Sequence, residues 1–130
     1  MRFLILVTTA LLLGFTACDT EPPEVHDLLD NSFDLDAGAV RAFGFGLQQG
    51  TRVFGTWSTT GGSVKFYLLD EANHEKWASG QSFSSRATSE GTSGSVDFKI
   101  PGRGETYYYS FDNSAGSATV SVTVSLDEEK

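Results

Sequence analysis

Cys18 is the residue of this chain whose side chain offers the most distinctive chemistry. It is the only cysteine among the 130 residues, and it follows an N-terminal segment that holds one cation, Arg2, and an apolar run over residues 3–13. A run of this length is typical of the hydrophobic region of a secretory signal peptide, and it is shorter than the roughly 20 residues that span a bilayer. We therefore expect the thiol to lie just after a cleavage site, where it is either covalently modified or a free thiol open to pairing between molecules.

Residues 15–18, Phe-Thr-Ala-Cys, resemble the lipobox of bacterial lipoproteins, with Phe15 in place of the usual Leu or Val. The resemblance implies removal of residues 1–17 and attachment of diacylglycerol to the sulfur of Cys18, so membrane lipid is the first predicted partner. Multiple acyl chains hold a protein on a membrane far more firmly than a single chain does. Asp19 resembles the inner-membrane retention signal of enteric-type Gram-negative lipoproteins. The predicted location is therefore the extracytoplasmic side of the bacterial cell envelope, with the inner membrane as one option.

The possible nucleophiles and bases do not form a recognisable catalytic pattern. Serines are abundant, but residues 91–95 place the second glycine one position too early for a Gly-x-Ser-x-Gly motif. The chain has two histidines: His26 lies among the acids of the N-terminal region, and His74 lies in a polar turn. A nucleophile needs a base within hydrogen-bond reach and a third group that orients this base. We therefore predict that the protein is not an enzyme.

The polar turn over residues 70–75 brings several oxygen ligands together. Asp70, Asn73 and Glu75 offer oxygen atoms to a calcium ion, but they lack the alternating acids and the central glycine of an EF-hand loop. An Asx-type turn after a strand explains Asp70 and Asn73 without a metal. Two distant histidines and a lipidated cysteine do not favour a transition-metal site either. We expect neither a metal nor another cofactor.

Aromatic side chains carry the remaining signal for binding. Tyr67 and Tyr108 have the opposite parity to their apolar neighbours in predicted strands, and Trp57 and Trp77 lie at strand ends near turns. Exposed Tyr and Trp are effective interface anchors, because they bury a large area with little loss of rotamer entropy, and they also stack on sugar rings. We predict that these four residues bind the ligand. The alternative is that both tryptophans cap the ends of the hydrophobic core.

The charge distribution separates an acidic N-terminal region from the rest of the chain. The sequence has 17 acidic and nine basic residues, with a formal net charge of −8. Seven of the acids, and no Lys or Arg, lie between Asp19 and Asp36. Together with Pro22 and Pro23, this pattern predicts an extended, self-repelling tether over residues 18–32. Because nucleic-acid binding needs a basic surface, we expect no nucleic-acid partner.

From residue 33 onward the apolar side chains recur with a period of two, which indicates half-buried strands. In the last of them, Val120, Val122 and Val124 alternate with serines and threonines. We predict strands over residues 33–35, 43–47, 51–59, 64–69, 76–78, 95–100, 105–111 and 118–126. We predict no helix there, and a long loop over residues 78–95 in which Phe83 holds the middle against the domain and Arg86 stays free. Many short strands between glycine-rich turns predict an all-β fold, an antiparallel β-sandwich or jelly roll of seven or eight strands.

Two groups of motifs, over residues 50–77 and 104–114, follow each other in a familiar order. They contain Gly-Thr-Arg-Val, a strand that ends in Asp70, then Gly-Glu-Thr-Tyr-Tyr and Phe-Asp-Asn. Over residues 33–126 the chain thus resembles the GOLD domain of the emp24/gp25L/p24 family. The resemblance implies a β-sandwich that binds proteins or lipid-linked partners without catalysis. The transport role of that family is not expected, because the family's C-terminal coiled coil and membrane span have no counterpart here. The strands bounded by glycine also look like bacterial pre-peptidase C-terminal domains.

The sequence thus predicts three parts: a signal peptide over residues 1–17, a tether over residues 18–32 and a GOLD-like β-sandwich over residues 33–130. The predicted function is a membrane-tethered binding module for a protein or peptide of the cell envelope. One alternative is a glycan-binding or pre-peptidase-like accessory domain near the cell wall, and another is a purely structural envelope lipoprotein. A flat exposed aromatic patch would favour a glycan, and a contiguous apolar patch would favour a protein.

Overall fold

Residues 24–130 are described by a computed structural model, in which they form eight strands and one helix. The strands are β1 (Val25–Leu35), β2 (Val40–Leu47), β3 (Arg52–Thr60), β4 (Val64–Asp70), β5 (Ala87–Gly91), β6 (Ser93–Lys99), β7 (Glu105–Asp112) and β8 (Val120–Glu129), and the helix α1 (Glu71–Ala78) follows β4. Sheet A has the strand order β1-β8-β3-β6, sheet B has the order β2-β7-β4-β5, and all pairs are antiparallel. The predicted antiparallel β-sandwich is confirmed.

The hydrophobic core lies between the two sheets and follows from strict alternation along the strands. On β8, Val120, Val122 and Val124 are buried, whereas Ser121 and Thr123 are exposed. Successive side chains of a strand point to opposite faces, so the apolar set meets the other sheet and the hydroxyls face water. Phe66 of sheet B lies at the centre, with ring centroids 5.2 Å from Phe111, 6.0 Å from Trp57 and 6.3 Å from Tyr109.

Trp57 belongs to this core, so its predicted role in ligand binding is wrong. Only 2% of its surface is exposed, and it faces Phe66 across the sandwich. No register shift occurs along β3, and Phe54, which has the opposite parity, lies on the outer face with the Arg52 guanidinium 4.3 Å from its ring centroid. The paired residue on β6 is Gly94, where a Cβ would lie 2.6 Å from the indole nitrogen. The tryptophan therefore fits because its neighbour has no side chain.

The N-terminal boundary of the sandwich also differs from the prediction. β1 begins at Val25, within the segment 18–32 expected to be a flexible tether, and it pairs with β8 along its whole length. Its acids alternate with residues that face the core, so they reach the outer surface; Asp34, for example, accepts a hydrogen bond of 2.7 Å from the Ser121 hydroxyl. An acidic strand is stable here because β8 satisfies its backbone groups. Cys18 and the rest of residues 1–23 lie outside the described residues.

Two predictions between β4 and β6 are corrected as well. Residues 71–78 form a helix rather than a turn followed by a short strand. Asp70 is its N-cap: the carboxylate accepts hydrogen bonds from the backbone N–H of Asn73 (2.9 Å) and from its Nδ2 (2.8 Å), as a cap residue does. The helix is short and has no fully buried residue, so its sequence lacks the apolar stripe that would reveal it. Within residues 24–130, no helix has the length and apolar character required to cross a membrane.

The segment predicted as one long loop, residues 78–95, contains β5 and the start of β6. Only the connection 79–86 and the single residue Thr92 lack regular structure. The predicted role of Phe83 is confirmed, because its ring packs edge-on against Tyr67 at 5.1 Å. Arg86, expected to be free, forms an ion pair of 3.2 Å with Asp70. The serines and threonines of this segment alternate between the two sides of short strands. The prediction of a loop was based on composition, and composition does not reveal this alternation.

Candidate functional site

Three of the four predicted binding residues come together on the outer face of sheet B. Tyr67 of β4 and Tyr108 of β7 lie on this face. Trp77 of helix α1 lies 6.5 Å from Tyr67 between ring centroids, and it is connected to Tyr108 through His74. Two residues that were not predicted as binding residues complete the group, His74 of the helix and Phe83 of the following connection. We call these five residues the outer aromatic cluster.

The rings of the outer aromatic cluster do not share a plane. His74 stacks on Tyr108 with centroids 3.7 Å apart and an interplanar angle of 6°, but Tyr67 is inclined at 57° to Trp77 and at 88° to Phe83. All five side chains are half-buried. The rings pack against one another and thereby hold helix α1 on the sheet, so they do not provide the flat platform that sugar stacking requires.

Polar contacts also hold helix α1 and the connection 79–86 in place. The Asp70 carboxylate pairs with Arg86, and the Asn73 side-chain oxygen accepts a hydrogen bond of 2.9 Å from the backbone N–H of Ser84. Burial disfavours the charged form of Asp70, but the hydrogen bonds from Asn73 and the charge of Arg86 outweigh it and lower its pKa below the ordinary value. The helix, the connection 79–86 and β4 are therefore joined by charged and neutral hydrogen bonds around one carboxylate.

The four edge strands of the sandwich differ in how they are protected from pairing with another chain. β1 carries Asp27, Asp30 and Asp34 and has a register shift after Asp27. β5 has only five residues, and β6 carries Asp97, which forms an ion pair with Arg52. Short length, charged residues and bulges are the usual devices that keep an edge strand from pairing.

β2 has fewer of these devices than the other three edge strands. It is eight residues long, contains neither an acid nor a proline, and pairs with β7 without a register shift. Its other side has no strand partner in the described part of the chain. Its one charged residue, Arg41, lies with its guanidinium 4.8 Å from the Phe33 ring centroid and 4.9 Å from that of Phe43. We call this unpaired side of β2 the β2 edge.

From Ala42 onward, the outward face of β2 is made of small residues. Gly44 pairs with Tyr108, and a Cβ on Gly44 would lie 2.8 Å from an edge carbon of that ring. Gly46 pairs with Thr106, and a Cβ there would have nothing within 4 Å. The space over Gly46 continues into an open groove of about 550 Å³, lined by residues 46–49 and 104–106. We call this space the glycine groove.

The inward face of β2 carries aromatic side chains that the core covers only in part. Phe43 lies 5.3 Å from Phe33 of β1, and Phe45 lies 5.8 Å from Tyr109. Both are half-buried, as is Leu29 on β1. The β2 edge therefore presents backbone N–H and C=O groups that are unpaired within residues 24–130. Apolar side chains lie on the side of these groups that faces the sandwich, and the glycine groove lies on the outer side.

The sequence analysis named Tyr67, Trp77 and Tyr108, which the structure brings into one cluster, but it named neither the glycine groove nor His74. In the sequence, Gly44 and Gly46 alternate with two phenylalanines within the strand predicted over residues 43–47. The same pattern also indicates that one face of this strand has no side chains at two successive positions. This was the signal in the sequence from which a groove could have been predicted. His74 could not be found in this way, because its position depends on a helix that the sequence did not reveal.

No metal-binding group of side chains appears in residues 24–130. Within these residues, no three His, Cys, Asp or Glu side chains are placed to hold a metal ion together. His26 lies near Glu24 at the surface, and His74 lies in the outer aromatic cluster with its Nδ1 buried and without a hydrogen-bond partner in the described chain. The two imidazoles therefore serve different parts of the molecule.

Comparison with known proteins finds similarity of fold only. No protein-family model and no curated protein matches the chain, so the resemblance to the GOLD domain stays a prediction. Among solved structures, the mitogen derived from Yersinia pseudotuberculosis matches with a TM-score of 0.53 and 9% identity, over 80% of this chain and 86% of the other. PliG of Aeromonas hydrophila, a periplasmic inhibitor of g-type lysozyme, matches with a TM-score of 0.53 and 14% identity, over 82% and 87%. A CBM4 structure matches with a TM-score of 0.54 and 12% identity, over 82% and 77%.

Proposed function

We propose that this chain is an extracytoplasmic, lipid-anchored and non-catalytic module that binds an extended segment of a partner protein as an added strand at the β2 edge. The observation that carries the proposal is the difference between β2 and the other three edge strands. A long, regular edge strand without acids, proline or bulge is a template for pairing with another chain. Natural peptide-binding domains use such an edge in strand addition.

The two faces of β2 define the segment that it would accept. Main-chain hydrogen bonds to the strand provide affinity, and alternate side chains provide specificity. Side chains on one face of the added strand would contact Phe43 and Phe45, so this face is expected to be apolar. Side chains on the other face would lie beside Gly44 and Gly46.

The charge of this chain also limits which segments could bind at the β2 edge. The chain carries a formal net charge of −8, and the neighbouring edge strand β1 is acidic. During encounter an acidic segment would be repelled, a basic one would be attracted, and a neutral one would be neither. The proposed ligand is thus a neutral or basic segment with apolar residues at every second position.

Hydrogen exchange with a defined peptide tests this proposal. The probe is a synthetic peptide of alternating valine and threonine flanked by lysines, added to the full chain. We expect slower exchange at the backbone amides of β2 and unchanged exchange at β6. Ala42→Asp, which introduces an acid like those of β1, is expected to weaken binding about tenfold. The matched control is Ser95→Asp on β6. Equal weakening by both variants, or protection of another edge alone, would overturn the proposal.

The lipid anchor at Cys18 belongs to the same proposal. It is supported by the lipobox-like segment that ends at this residue. The fold is also similar to that of PliG, a periplasmic inhibitor of g-type lysozyme from Aeromonas hydrophila, and this similarity supports a binding role outside the cytoplasm. Glycan binding through stacked aromatic rings has weaker support, because the rings of the outer aromatic cluster are inclined to one another.

A further inference from the structure

We infer that the glycine groove is a subsite for one tyrosine or tryptophan side chain carried by the strand that adds to the β2 edge. This inference rests on the proposed function and names the chemistry of the partner at one position.

Two strand glycines each have an aromatic ring as their cross-strand neighbour. Gly44 pairs with Tyr108, and a Cβ would lie 2.8 Å from that ring. Gly94 pairs with Trp57, and a Cβ would lie 2.6 Å from the indole. In each pair the ring occupies the space that the missing side chain leaves. An aromatic neighbour is the usual compensation for a glycine within a sheet.

Gly46 lacks this compensation. Its pair on β7 is Thr106, and no atom lies within 4 Å of the position of a Cβ. The strand that would flank Gly46 on its other side is absent from the described chain, because β2 is at the edge of sheet B. A residue of an added strand directly opposite Gly46 would be about 5 Å away, which is the relation that Tyr108 has to Gly44 from the other side.

The groups around the groove indicate which aromatic side chain fits. The groove is lined by the amide residues Gln48 and Gln49, by Thr106 and by one ionisable residue, Glu105. These groups accept hydrogen bonds, and the carboxylate repels an anionic side chain by charge. Tyrosine and tryptophan combine an apolar body, which covers the Gly46 backbone, with a hydroxyl or indole N–H donor for the acceptors. Phenylalanine lacks the donor, and aspartate or glutamate has the wrong charge.

Peptides that differ at one position test the inference. The probes are the lysine-flanked valine–threonine peptide with Tyr, Trp, Ala or Asp at its central outward position, titrated against the full chain and followed by hydrogen exchange at β2. We expect the Tyr and Trp peptides to bind about tenfold more tightly than the Ala peptide, and the Asp peptide to bind more weakly than the Ala peptide.

A variant that fills the groove provides the second measurement. Gly46→Thr is tolerated by the fold, because Gly46 does not have a positive φ and its Cβ position is open. This variant is expected to keep the affinity for the Ala peptide and to lose the preference for Tyr and Trp, whereas Ser93→Thr on β6 keeps both. A preference that persists in Gly46→Thr, or equal binding of all four peptides at β2, would overturn the subsite and leave strand addition intact. Failure of every peptide to protect β2 would overturn both.

Discussion

At the scale of the single residue, Asn113 joins two connections that are far apart in the sequence. Its side chain is buried, and Nδ2 lies 3.0 Å from the Leu35 carbonyl, 3.1 Å from that of Asp36 and 2.9 Å from that of Ala118. The amide thus links the β1–β2 connection to the β7–β8 connection. The link from Asn113 to β1 depends on which strands are neighbours in the folded protein.

Replacing Asn113 by alanine is expected to lower the free energy of unfolding by about 1–3 kcal/mol. The reason is that buried carbonyl groups lose their hydrogen-bond donor. Urea unfolding of Asn113→Ala against the unchanged chain measures the effect, with Ser114→Ala as a control at the next, exposed position. Equal stability of all three proteins would contradict the role that we assign to Asn113.

Because of Asp70, the free energy of unfolding is expected to fall as the solution becomes acidic. Its pKa is lowered below 3.8 in the folded state, because the hydrogen bonds from Asn73 and the charge of Arg86 together outweigh the cost of burial. The stabilisation is therefore fully present above the unfolded pKa and is lost as the pH falls through the lower folded pKa. We expect Asp70→Asn to destabilise the protein at neutral pH, and we expect this difference to shrink as the pH falls into the acid range where Asp70 of the unchanged chain becomes protonated. Unfolding free energies across this range check it, and a difference that stays constant with pH would disagree.

At the scale of the element, β1 and β8 bring acids together at the end of sheet A. Asp27 and Asp127 are paired in register, and Asp30 is close. Burial, the hydrogen bond with Asp27 and the charges of Asp27 and Asp30 raise the pKa of Asp127 above its ordinary value. The charged form of Asp127 is therefore disfavoured in the folded state. The pKa shift of Asp127 thus has the opposite sign to that of Asp70.

Asp127→Asn is expected to stabilise the protein at neutral pH and to lose this advantage as the pH falls and the unchanged Asp127 becomes protonated. Thermal unfolding at several pH values measures the difference. Asp97→Asn is the contrasting variant, since the hydrogen bond with Arg52 holds the pKa of Asp97 below its ordinary value. A gain in stability from Asp97→Asn and none from Asp127→Asn would contradict both assignments.

The elements also show where prediction from the sequence worked and where it did not. β4, β7 and β8 were predicted within a few residues, because their alternation is strong and follows from the backbone geometry of a strand. β1 was interpreted as a tether because acids dominate its first half, although pairing with β8 stabilises it. Helix α1 was missed because its stability comes from the Asp70 cap and from packing on sheet B, neither of which leaves a periodic pattern.

At the scale of the whole molecule, the proposed anchor and the proposed binding edge are parts of one arrangement. The lipid would lie at Cys18, a few residues before β1, and β1 is an edge strand of sheet A. β2 follows β1 directly in the chain but belongs to the other sheet. A partner segment at the β2 edge would thus join sheet B of a module that is tethered through sheet A.

Replacing Cys18 by alanine tests the anchor in cells that carry the full chain. We expect labelled palmitate to be incorporated into the unchanged protein and not into Cys18→Ala, because the sulfur is the proposed site of attachment. Mass spectrometry of the N-terminal peptide should show cleavage before Cys18 and an acyl modification. Unchanged processing and unchanged label in Cys18→Ala would rule out lipidation at this residue.

The sequence by itself determined the β-sandwich class, most of the core and the acidic character of the surface. These properties depend on alternation and composition, which are local, so the buried faces of β4, β7 and β8 can be assigned from neighbouring residues alone. Only the tertiary structure decided that Trp57 is buried while Tyr67, Trp77 and Tyr108 meet, and that β2 is a less protected edge beside an open groove over Gly46. Edge position and cross-strand neighbours depend on pairing between distant segments, such as β2 with β7, and no local pattern encodes that pairing.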